Sequence, residues 1–473
     1  MSEISSLAPQ AVWQIFDMIC SVPHISKHEA ALSAKLAALA REAGLTVITD
    51  EYHNLVIRRA AAAGWKNAPG IILQAHMDMV PASEGEFDFI NTPITPYIAD
   101  GFVRARGTTL GADDGIGAAH ALAVILDKDF RCGELTVILT TDEEAGMSGA
   151  RNLAPEHLQK KYMINLDTGG KGFCIGCAGG ARQKFIFKSV FSPAVSGNPV
   201  KITVSGLPGG HSGCCIHENR GNALKFIAEF AGQQPDLYLS AIDGGTADNA
   251  IPDSVQATGI FAGPIDKLQK SADAFALLLK KELPAAAGLS IAVVPAEMPQ
   301  MVWEKMFQQE LLNAMMLVPD GPLGFDEELQ IVKTSSNLAT IRTTAQEVII
   351  KTSQRSLDDG CRDDICAAIR THFELFNACC EIGDIYPATP PKKDSELLKI
   401  AMKCAEKSGR GGEAYAIHAG LESGWFSVKN PELEIISCGP DHTDYHTPYE
   451  KLEIASVKVF DGFLRELIRE LGK

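Results

Sequence analysis

The sequence predicts an α/β fold: a mostly parallel sheet with helices on both faces, split by an inserted α+β domain. Three observations predict it. Short apolar runs alternate with amphipathic helical patterns in the first part of the chain and again near its end. The region between them is richer in β-type segments. Turn-forming clusters at 192–199 and 387–391 mark both borders of that region.

The individual elements follow from these patterns. In the first part we predict helices at 11–20, 30–43 and 115–126, and buried strands at 70–75, 135–140 and 162–166. The middle region suggests strands at 200–204 and 347–352, with helices at 272–281 and 310–316. The last part suggests helices at 395–408 and 454–471 and a strand at 433–437. The predicted organisation is therefore one α/β domain in two parts, 1–185 and 391–473, around an inserted domain at 186–390.

Composition excludes several classes of protein. The 473 residues carry 43 Lys and Arg against 59 Asp and Glu, a net charge of −16. Nucleic acids and anionic membranes require clustered basic residues, and none are apparent, so we expect neither partner. No apolar run approaches the length of a membrane span. The N-terminal residues lack the basic start and apolar stretch of a secretory signal, so we expect a cytoplasmic protein.

The twelve cysteines are too sparse and scattered for a disulfide scaffold, and we expect reduced thiols. Cys174 and Cys177 form the one CxxC motif. A structural zinc site usually needs a second pair of ligands, so this motif alone is weak. It leaves a thiol redox protein as one alternative, which predicts loss of function when these cysteines are replaced by serine.

Histidine and acidic residues follow four predicted strands where each strand ends. The segments that carry them are 76–78, 142–144, 167 and 439–446. Sites in open α/β sheets lie at the carboxyl ends of the strands, so we expect these side chains to meet at one edge. A fifth segment places Asp113 and Asp114 at the start of a predicted helix, where carboxylates are also favoured by capping.

These segments offer two imidazoles and three carboxylates as metal ligands: His76, Asp113, Glu144, Asp167 and His446. If Asp113 bridges, each of two ions receives that carboxylate, one histidine and one further carboxylate. Two divalent ions then balance three carboxylates and a bridging hydroxide, as in hydrolytic two-metal sites. Ligands of this kind without thiolates suit zinc first, with manganese or cobalt as alternatives.

Two further acids have predicted roles beside the ligands. Asp78 lies two residues after His76 on an extended segment, where both side chains point the same way, so it can orient the imidazole. Glu143 is adjacent to the ligand Glu144. Neighbouring side chains diverge, so Glu143 can face the attacking water as a general base.

Several motifs in family order resemble the aminoacyl-histidine dipeptidase branch of the two-zinc exopeptidase family, which also includes carboxypeptidase G, aminoacylase and tripeptidase T. The motifs are His76-Met-Asp78, Gly107-Thr-Thr-Leu-Gly-Ala-Asp113-Asp114-Gly, Thr141-Asp-Glu143-Glu144-Ala-Gly-Met, Asn165-Leu-Asp167, Gly209-Gly-His211-Ser-Gly, Gly244-Gly-Thr-Ala-Asp-Asn249-Ala-Ile-Pro252, His418-Ala-Gly-Leu-Glu422 and His446-Thr-Pro448.

The resemblance implies a partition of the ligands. His76 and Asp167 would bind one metal, Glu144 and His446 the other, and Asp113 would bridge them. His446 is preferred over His442 because Thr-Pro follows only His446, as the family pattern requires. The resemblance also implies Asp78 as the acid that orients the ring and Glu143 as the base.

The resemblance implies further roles outside the metal ligands. The two-part domain would be the catalytic domain, and the inserted α+β domain would be its lid. His211 would stabilise the oxyanion from that lid, and Asn249 would orient the substrate. Arg355 is a candidate for binding the substrate carboxylate, because arginine binds carboxylates through two hydrogen bonds, and a surface arginine on a strand is the alternative. Glu422 either braces the site or is structural.

The function predicted from these observations is metal-dependent hydrolysis of dipeptides by a hydroxide bridging two metals, with Glu143 as base. Specificity for Xaa-His dipeptides such as carnosine comes only from the resemblance, and broader cleavage, including cysteinylglycine, stays open. An N-acyl amino acid deacylase or tripeptidase is the alternative with the same chemistry, and a non-catalytic metal-binding scaffold is another. We expect a small peptide substrate and a homodimer, with His211 acting within its own chain or across the dimer.

Overall fold

The buried runs of the sequence become neighbouring strands in the computed structural model, which describes residues 2–473. The helices are α1 Gln10–Cys20, α2 Ala30–Glu42, α3 Ala112–Leu126, α4 Ser148–Asn152, α5 Ala223–Gly232, α6 Ile265–Glu282, α7 Lys305–Leu317, α8 Asp359–Leu375, α9 Glu396–Ser408, α10 Ser423–Lys429 and α11 Ile454–Leu471. Short 3-10 turns occur at Glu3–Ser6, Pro155–Leu158, Ile216–Glu218 and Pro284–Ala286.

The strands before the middle region are β1 Thr46–Thr49, β2 Leu55–Arg59, β3 Ile71–His76, β4 Pro96–Ala99, β5 Phe102–Ala105, β6 Leu135–Thr140, β7 Tyr162–Asn165 and β8 Phe173–Cys177. Those that follow are β9 Gly179–Lys188, β10 Phe191–Pro193, β11 Asn198–Ser205, β12 Leu237–Gly244, β13 Val255–Phe261, β14 Ser290–Pro295, β15 Met301–Trp303, β16 Gly321–Asp326, β17 Ile331–Thr343, β18 Glu347–Ser356 and β19 Cys379–Tyr386. The last four are β20 Ala414–Ile417, β21 Glu434–Ser437, β22 His442–Thr443 and β23 Lys451–Glu453.

The chain divides into two units. The first comprises Met1–Cys177, Thr389–Ala416 and Leu421–Lys473. Its main sheet has the strand order β1-β2-β6-β3-β7-β21-β8-β20. The central strands β6, β3, β7 and β21 run parallel to one another, and β1, β2 and β8 pair antiparallel with their neighbours. The predicted α/β class with a parallel central sheet is confirmed.

Both faces of this sheet are covered. Strands β3, β6 and β7 are buried at every residue. Ile72 and Ile138 pack in one apolar cluster with Phe426 of α10. Side chains alternate along a strand, so Ile71 and Leu73 face away from that cluster, and α3 contacts both β3 and β6. The parallel register brings the carboxyl ends of β6, β3, β7 and β21 to one edge, where polar residues follow.

Helix α3 begins earlier than the sequence predicts. Its first residue is Ala112, but Asp113 and Asp114 have non-helical backbone angles. Gly111 is the N-cap, at φ 72°, a conformation that suits glycine because it has no Cβ. The two aspartates therefore follow the cap instead of occupying it, and the capping role that their position allowed is not used.

The second unit comprises Ala178–Ala388 and the short segment Ile417–Gly420. The sequence had predicted the domain boundaries near residues 185 and 390. The antiparallel sheet of the second unit has the order β14-β11-β13-β12-β17-β18-β9-β19, with β16 paired to β17. Helices α5 to α8 contribute to one apolar core with the sheet, in which Phe185 of β9 and Phe373 of α8 stack at 4.2 Å between ring centroids.

Within residues 2–473, no helix combines the length and the apolar composition that a membrane crossing requires.

Candidate metal centre

The five residues expected to bind metal all belong to the first unit. His76 is the last residue of β3, and Asp113 lies at the distorted start of α3. Glu144 and Asp167 follow β6 and β7, and His446 lies between β22 and β23. The sheet edge therefore collects side chains from segments that are far apart in sequence.

The carboxylate of Asp113 lies between the two histidines. Its Oδ1 is 3.5 Å from His76 Nε2, and its Oδ2 is 3.2 Å from His446 Nε2. Asp167 Oδ1 is 3.7 Å from His76 Nε2, whereas Glu144 Oε1 is 2.8 Å from His446 Nε2. The Nε2 atom of each imidazole thus lies within 4 Å of Asp113 and of one further carboxylate, an arrangement consistent with the partition that the resemblance implies.

Ligand atoms lie within 4.8 Å of one another in three groups. The groups are His76 with Asp114 and Asp167, His76 with Glu143 and Glu144, and Asp113 with Glu144 and His446. Asp114, to which the sequence assigned no metal, therefore competes with Asp113 beside His76. His442, the rival of His446, lies outside these groups, and its Nδ1 is 3.2 Å from the carbonyl oxygen of Pro440.

Asp78 contacts both the imidazole ring of His76 and the backbone of the turn at Glu143 and Glu144. His76 Nδ1 is 3.0 Å from the backbone oxygen of Asp78 and 3.5 Å from its Oδ1. The two carboxylate oxygens accept the backbone N–H groups of Glu143 and Glu144 at 3.0 and 3.1 Å. Ser26 Oγ donates to the same carboxylate at 2.7 Å. Asp78 therefore links the ring of one predicted ligand to the turn that carries another.

The electrostatics favour protonated histidines and an ionised Asp113. Burial lowers the pKa of His76, but the carboxylates of Asp167, Asp113 and Asp78 outweigh it and raise the pKa well above its ordinary value. Burial also opposes the charge of His446, yet Asp113 and Glu144 raise its pKa to about 10. Burial disfavours the charged form of Asp113 as well, but the two histidines hold its pKa well below the ordinary range.

The other acids of the cluster are harder to ionise. Burial is the main cause that raises the pKa of Asp167 to about 7; His76 opposes this rise and Asp113 adds to it. Burial, Glu144 and Asp167 together raise the pKa of Glu143 well above its ordinary value. Carboxyl groups outnumber imidazoles here, so the protonated histidines do not supply enough positive charge to balance all of the acids in their ionised form.

Glu422 lies fully buried behind the strand ends. Its Oε2 accepts hydrogen bonds from Gln74 Nε2 and Thr140 Oγ1, both at 2.6 Å. Gln74 in turn accepts a 2.6 Å hydrogen bond from Asn165 Nδ2. Burial raises the pKa of Glu422 to about 8, which His76 partly opposes. The residue ties β3, β6 and β7 together two to four positions before their predicted ligands.

The remaining predicted residues belong to the second unit. His211 Nδ1 accepts the N–H groups of Gly213 and Cys214, both at 3.2 Å. The Asn249 carbonyl accepts the N–H of Ser212 at 2.8 Å, so these two motifs are neighbours. Arg355 is only 6% exposed, which excludes the surface arginine that the sequence left open.

Arg355 lies in a polar cluster of that unit. Its Nη1 donates to Tyr386 Oη at 2.7 Å, and its Nε is buried without a partner. Burial, Arg355 and His211 lower the pKa of His418 to about 3, so this imidazole is neutral. His418 Nε2 lies 2.7 Å from Ser335 Oγ. The cluster thus combines a buried guanidinium, a hydroxyl and a neutral imidazole.

Sequence reasoning missed several residues that support the centre. Gln74 and Asn165 had a detectable signal, because they are polar residues inside buried apolar strands. Arg410 had none: it donates to the carbonyls of Gly170 and Gly439, which lie on the loops after Asp167 and before His446. Contacts of this kind join distant segments and leave no local pattern.

Comparisons with known proteins agree on one family. The profile of Peptidase family M20/M25/M40 matches residues 72–470. The cytosol non-specific dipeptidase of Escherichia coli (strain K12) is 36% identical over 482 residues, covering 100% of this chain and 99% of that protein. The crystal structure of aminoacylhistidine dipeptidase from Vibrio alginolyticus is 37% identical, with a TM-score of 0.87 over 99% of this chain and 98% of that one.

A more distant likeness concerns the fold alone. The crystal structure of the aminopeptidase PepT from Bacillus cereus ATCC 10987 has a TM-score of 0.57 at 17% identity. It covers 99% of this chain and 100% of that chain. The likeness over both full lengths indicates that the two-unit architecture is shared by proteins of little sequence similarity.

The residues of the cluster fit divalent cations. Nε2 of His76 and Oδ2 of Asp114 are buried and make no hydrogen bond, so each could bind a cation that displaces protons from the cluster. Imidazole and carboxylate donors without thiolates suit zinc, manganese and cobalt. A cation would also supply the positive charge that the excess of carboxyl groups requires.

Metal affinity should rise with pH. His446 has a pKa of about 10 in the metal-free protein, so between pH 7 and 9 it must lose a proton before it can coordinate. Each displaced proton steepens the apparent affinity for Zn²⁺ by about tenfold per pH unit. Competition with a zinc chelator from pH 6 to 9 measures this slope, and calorimetry in two buffers measures the proton release. A flat affinity over this range would contradict the ion pairs of His446.

Proposed function

Because this chain belongs to peptidase family M20/M25/M40, we propose that it is a metal-dependent dipeptidase that hydrolyses unblocked dipeptides. One observation carries the proposal: the two oxygens of Asp113 face the Nε2 atoms of His76 and His446. A carboxylate between two imidazoles is suited to join two metal positions. The full-length similarity to the dipeptidases of E. coli and V. alginolyticus supports the choice of substrate class.

The proposed ligands are His76 and Asp167 for one ion, Glu144 and His446 for the other, and Asp113 for both. Zinc is the first candidate, with manganese and cobalt as alternatives. Bound divalent ions supply a Lewis acid for the scissile carbonyl and lower the pKa of water to near neutrality.

Glu143 is the proposed base. Its carboxylate lies within reach of His76 and Glu144, yet the five proposed ligands do not include it. Bound cations would replace the protons of the cluster and favour its ionised form. It would then accept the proton of the attacking water and deliver it to the nitrogen of the leaving amine. Asp78 fixes its location, because it accepts the N–H groups of Glu143 and Glu144.

Residues of the second unit are proposed to recognise the substrate. His211 would donate a hydrogen bond to the oxyanion that forms at the scissile carbonyl. Arg355 would hold the C-terminal carboxylate of the dipeptide, since its Nε is buried without a partner and a buried guanidinium favours an anion. Asn249, in the segment that pairs with the His211 motif, would orient the peptide.

A cytoplasmic location and a homodimer are also proposed. The name of the E. coli relative assigns that protein to the cytosol, which supports the first. The dimer stays a prediction of the sequence, to be checked by light scattering. A deacylase or tripeptidase remains the alternative within the same chemistry.

A substrate panel tests the function. Purified protein with measured metal content is assayed on dipeptides that include carnosine and cysteinylglycine, on tripeptides and on N-acyl amino acids. We expect dipeptide cleavage that chelation abolishes and zinc, manganese or cobalt restores. Preference for tripeptides or N-acyl amino acids would favour the alternative. Full dipeptidase activity after removal of all cations would contradict the proposed chemistry.

Glu143→Gln tests the base. The amide keeps the size of the side chain but cannot accept the proton, so kcat should fall by about 10²- to 10⁴-fold. Metal content, measured by mass spectrometry, should stay as in the unmodified protein. Glu156→Gln on an exposed turn is the matched control and should leave both unchanged. A Glu143→Gln protein with full activity would refute this role.

Arg355→Met tests carboxylate recognition. Loss of a charged hydrogen bond should raise KM for dipeptides by about tenfold or more. The control lies in the substrate: dipeptide amides lack the carboxylate, so the unmodified protein should discriminate against them and the variant should not. If Arg355 is only structural, the variant will lose activity on both substrates equally and keep the discrimination.

A further inference from the structure

Glu450 connects two of the proposed ligands, although nothing in its sequence context distinguishes it. It is 2% exposed and lies four residues after His446. Its carboxylate accepts hydrogen bonds from four consecutive backbone N–H groups, those of residues 110–113, about 340 positions earlier in the chain. The last of these residues is Asp113. We infer that Glu450 is a positioning residue that assembles the part of the metal centre formed by Asp113, Glu144 and His446.

The geometry of these hydrogen bonds divides evenly between the two oxygens. Oε2 accepts the N–H groups of Leu110 and Gly111 at 2.7 and 2.9 Å. Oε1 accepts those of Ala112 and Asp113 at 2.8 and 3.1 Å. Four N–H groups converge only because the backbone curls around the carboxylate, with Gly111 at φ 72°. Such a concave run of amides binds anions, and here a side chain of the protein fills it.

This contact replaces the usual start of a helix. The first N–H groups of a helix lack partners within it, and a capping side chain commonly accepts one of them. Gly111, at the N-cap of α3, has no side chain to do so. Glu450 satisfies these groups instead, and Asp113 and Asp114 keep their carboxylates free for the centre. A capping role for Asp113 would have withdrawn a proposed ligand.

The carboxylate of Glu450 is rigidly held. Its residue directly precedes β23, whose Lys451, Leu452 and Glu453 pair with β5. The N–H of Glu450 donates to the carbonyl of Thr447 at 3.2 Å, which closes the turn that follows His446. Movement of this turn would therefore displace His446 and the loop of Asp113 together. Their side chains meet at 3.2 Å between His446 Nε2 and Asp113 Oδ2.

This inference rests on the proposed metal centre, and it predicts that the two ions depend on Glu450 to different extents. His76 and Asp167 lie at the ends of β3 and β7, positioned by the main sheet. Asp113 and His446 both depend on Glu450. Disruption of this residue should therefore weaken the ion at Glu144 and His446 more than the ion at His76 and Asp167.

The test compares the variants Glu450→Gln and Glu450→Asp. The control is Glu453→Gln, which changes the acid at the end of β23, three residues further along the chain and outside the proposed centre. An amide is the informative replacement, because its NH₂ group faces N–H donors and cannot accept from them. Zinc stoichiometry and affinity are measured by chelator competition, and Co²⁺ absorption spectra report the ligand geometry. Circular dichroism of the chelated proteins establishes folding independently of activity.

We expect Glu450→Gln to bind one zinc ion as the unmodified chain does and the second about 10- to 100-fold more weakly, with an altered Co²⁺ spectrum. Glu450→Asp should be intermediate, and Glu453→Gln unchanged. A folded Glu450→Gln protein that binds both ions with the affinities of the unmodified chain would overturn the inference. So would a Glu453→Gln protein that loses as much affinity for the second ion as Glu450→Gln does. If the amide variant does not fold, unchanged affinities in a folded Glu450→Asp protein overturn it. An unmodified chain that binds neither zinc nor manganese nor cobalt would overturn the proposed function and this inference with it.

Discussion

The organising constraint of this protein is the burial of many carboxyl groups around two histidines. Each carboxylate loses hydration when it is buried, and the ion pairs found at the centre among residues 2–473 involve histidines instead of lysine or arginine. In the metal-free state the histidines retain protons and the pKa of Asp167 rises to about 7. Protons thus partly supply the positive charge that a bound cation would bring. The ligand side chains already lie close together, so a cation could take the place of these protons.

Backbone N–H groups do much of the positioning. Asp78 accepts those of Glu143 and Glu144, and Glu450 accepts four from the loop that ends in Asp113. In both cases a buried carboxylate outside the proposed ligand set orders a turn that carries ligands. The amide N–H groups partly offset the cost of burying such an acid, although burial and Asp113 still raise the pKa of Glu450. The protein thereby separates the acids that hold the architecture from those available to metal.

The parallel sheet supplies the rest of the precision. Strands β3, β6 and β7 end at one edge, and the buried hydrogen bonds among Gln74, Asn165 and Glu422 cross them just before the ligands. Such a polar network inside an apolar sheet is costly unless every donor is satisfied, so it favours a single register. The second unit has a different design, an antiparallel sheet with one apolar core, and carries the polar cluster of Arg355 and His418.

Local sequence patterns were sufficient for the α/β class, for most of the α-helices and only a minority of the strands described in residues 2–473, and for the candidate ligands that follow strands. His76 and Asp167 could be predicted as ligands in this way, because each lies at or just after the end of a buried apolar run and parallel strands end at the same edge of a sheet. The family resemblance, and not residue spacing, had favoured Asp113 as the bridge and His446 over His442. Only the tertiary structure shows the oxygens of Asp113 between both histidines, the ring of His446 within the cluster, and the carboxylate of Glu450 accepting hydrogen bonds from the loop that ends in Asp113. These depend on side-chain directions and on contacts between residues more than 330 positions apart, and neither is encoded in the spacing of residues along the chain.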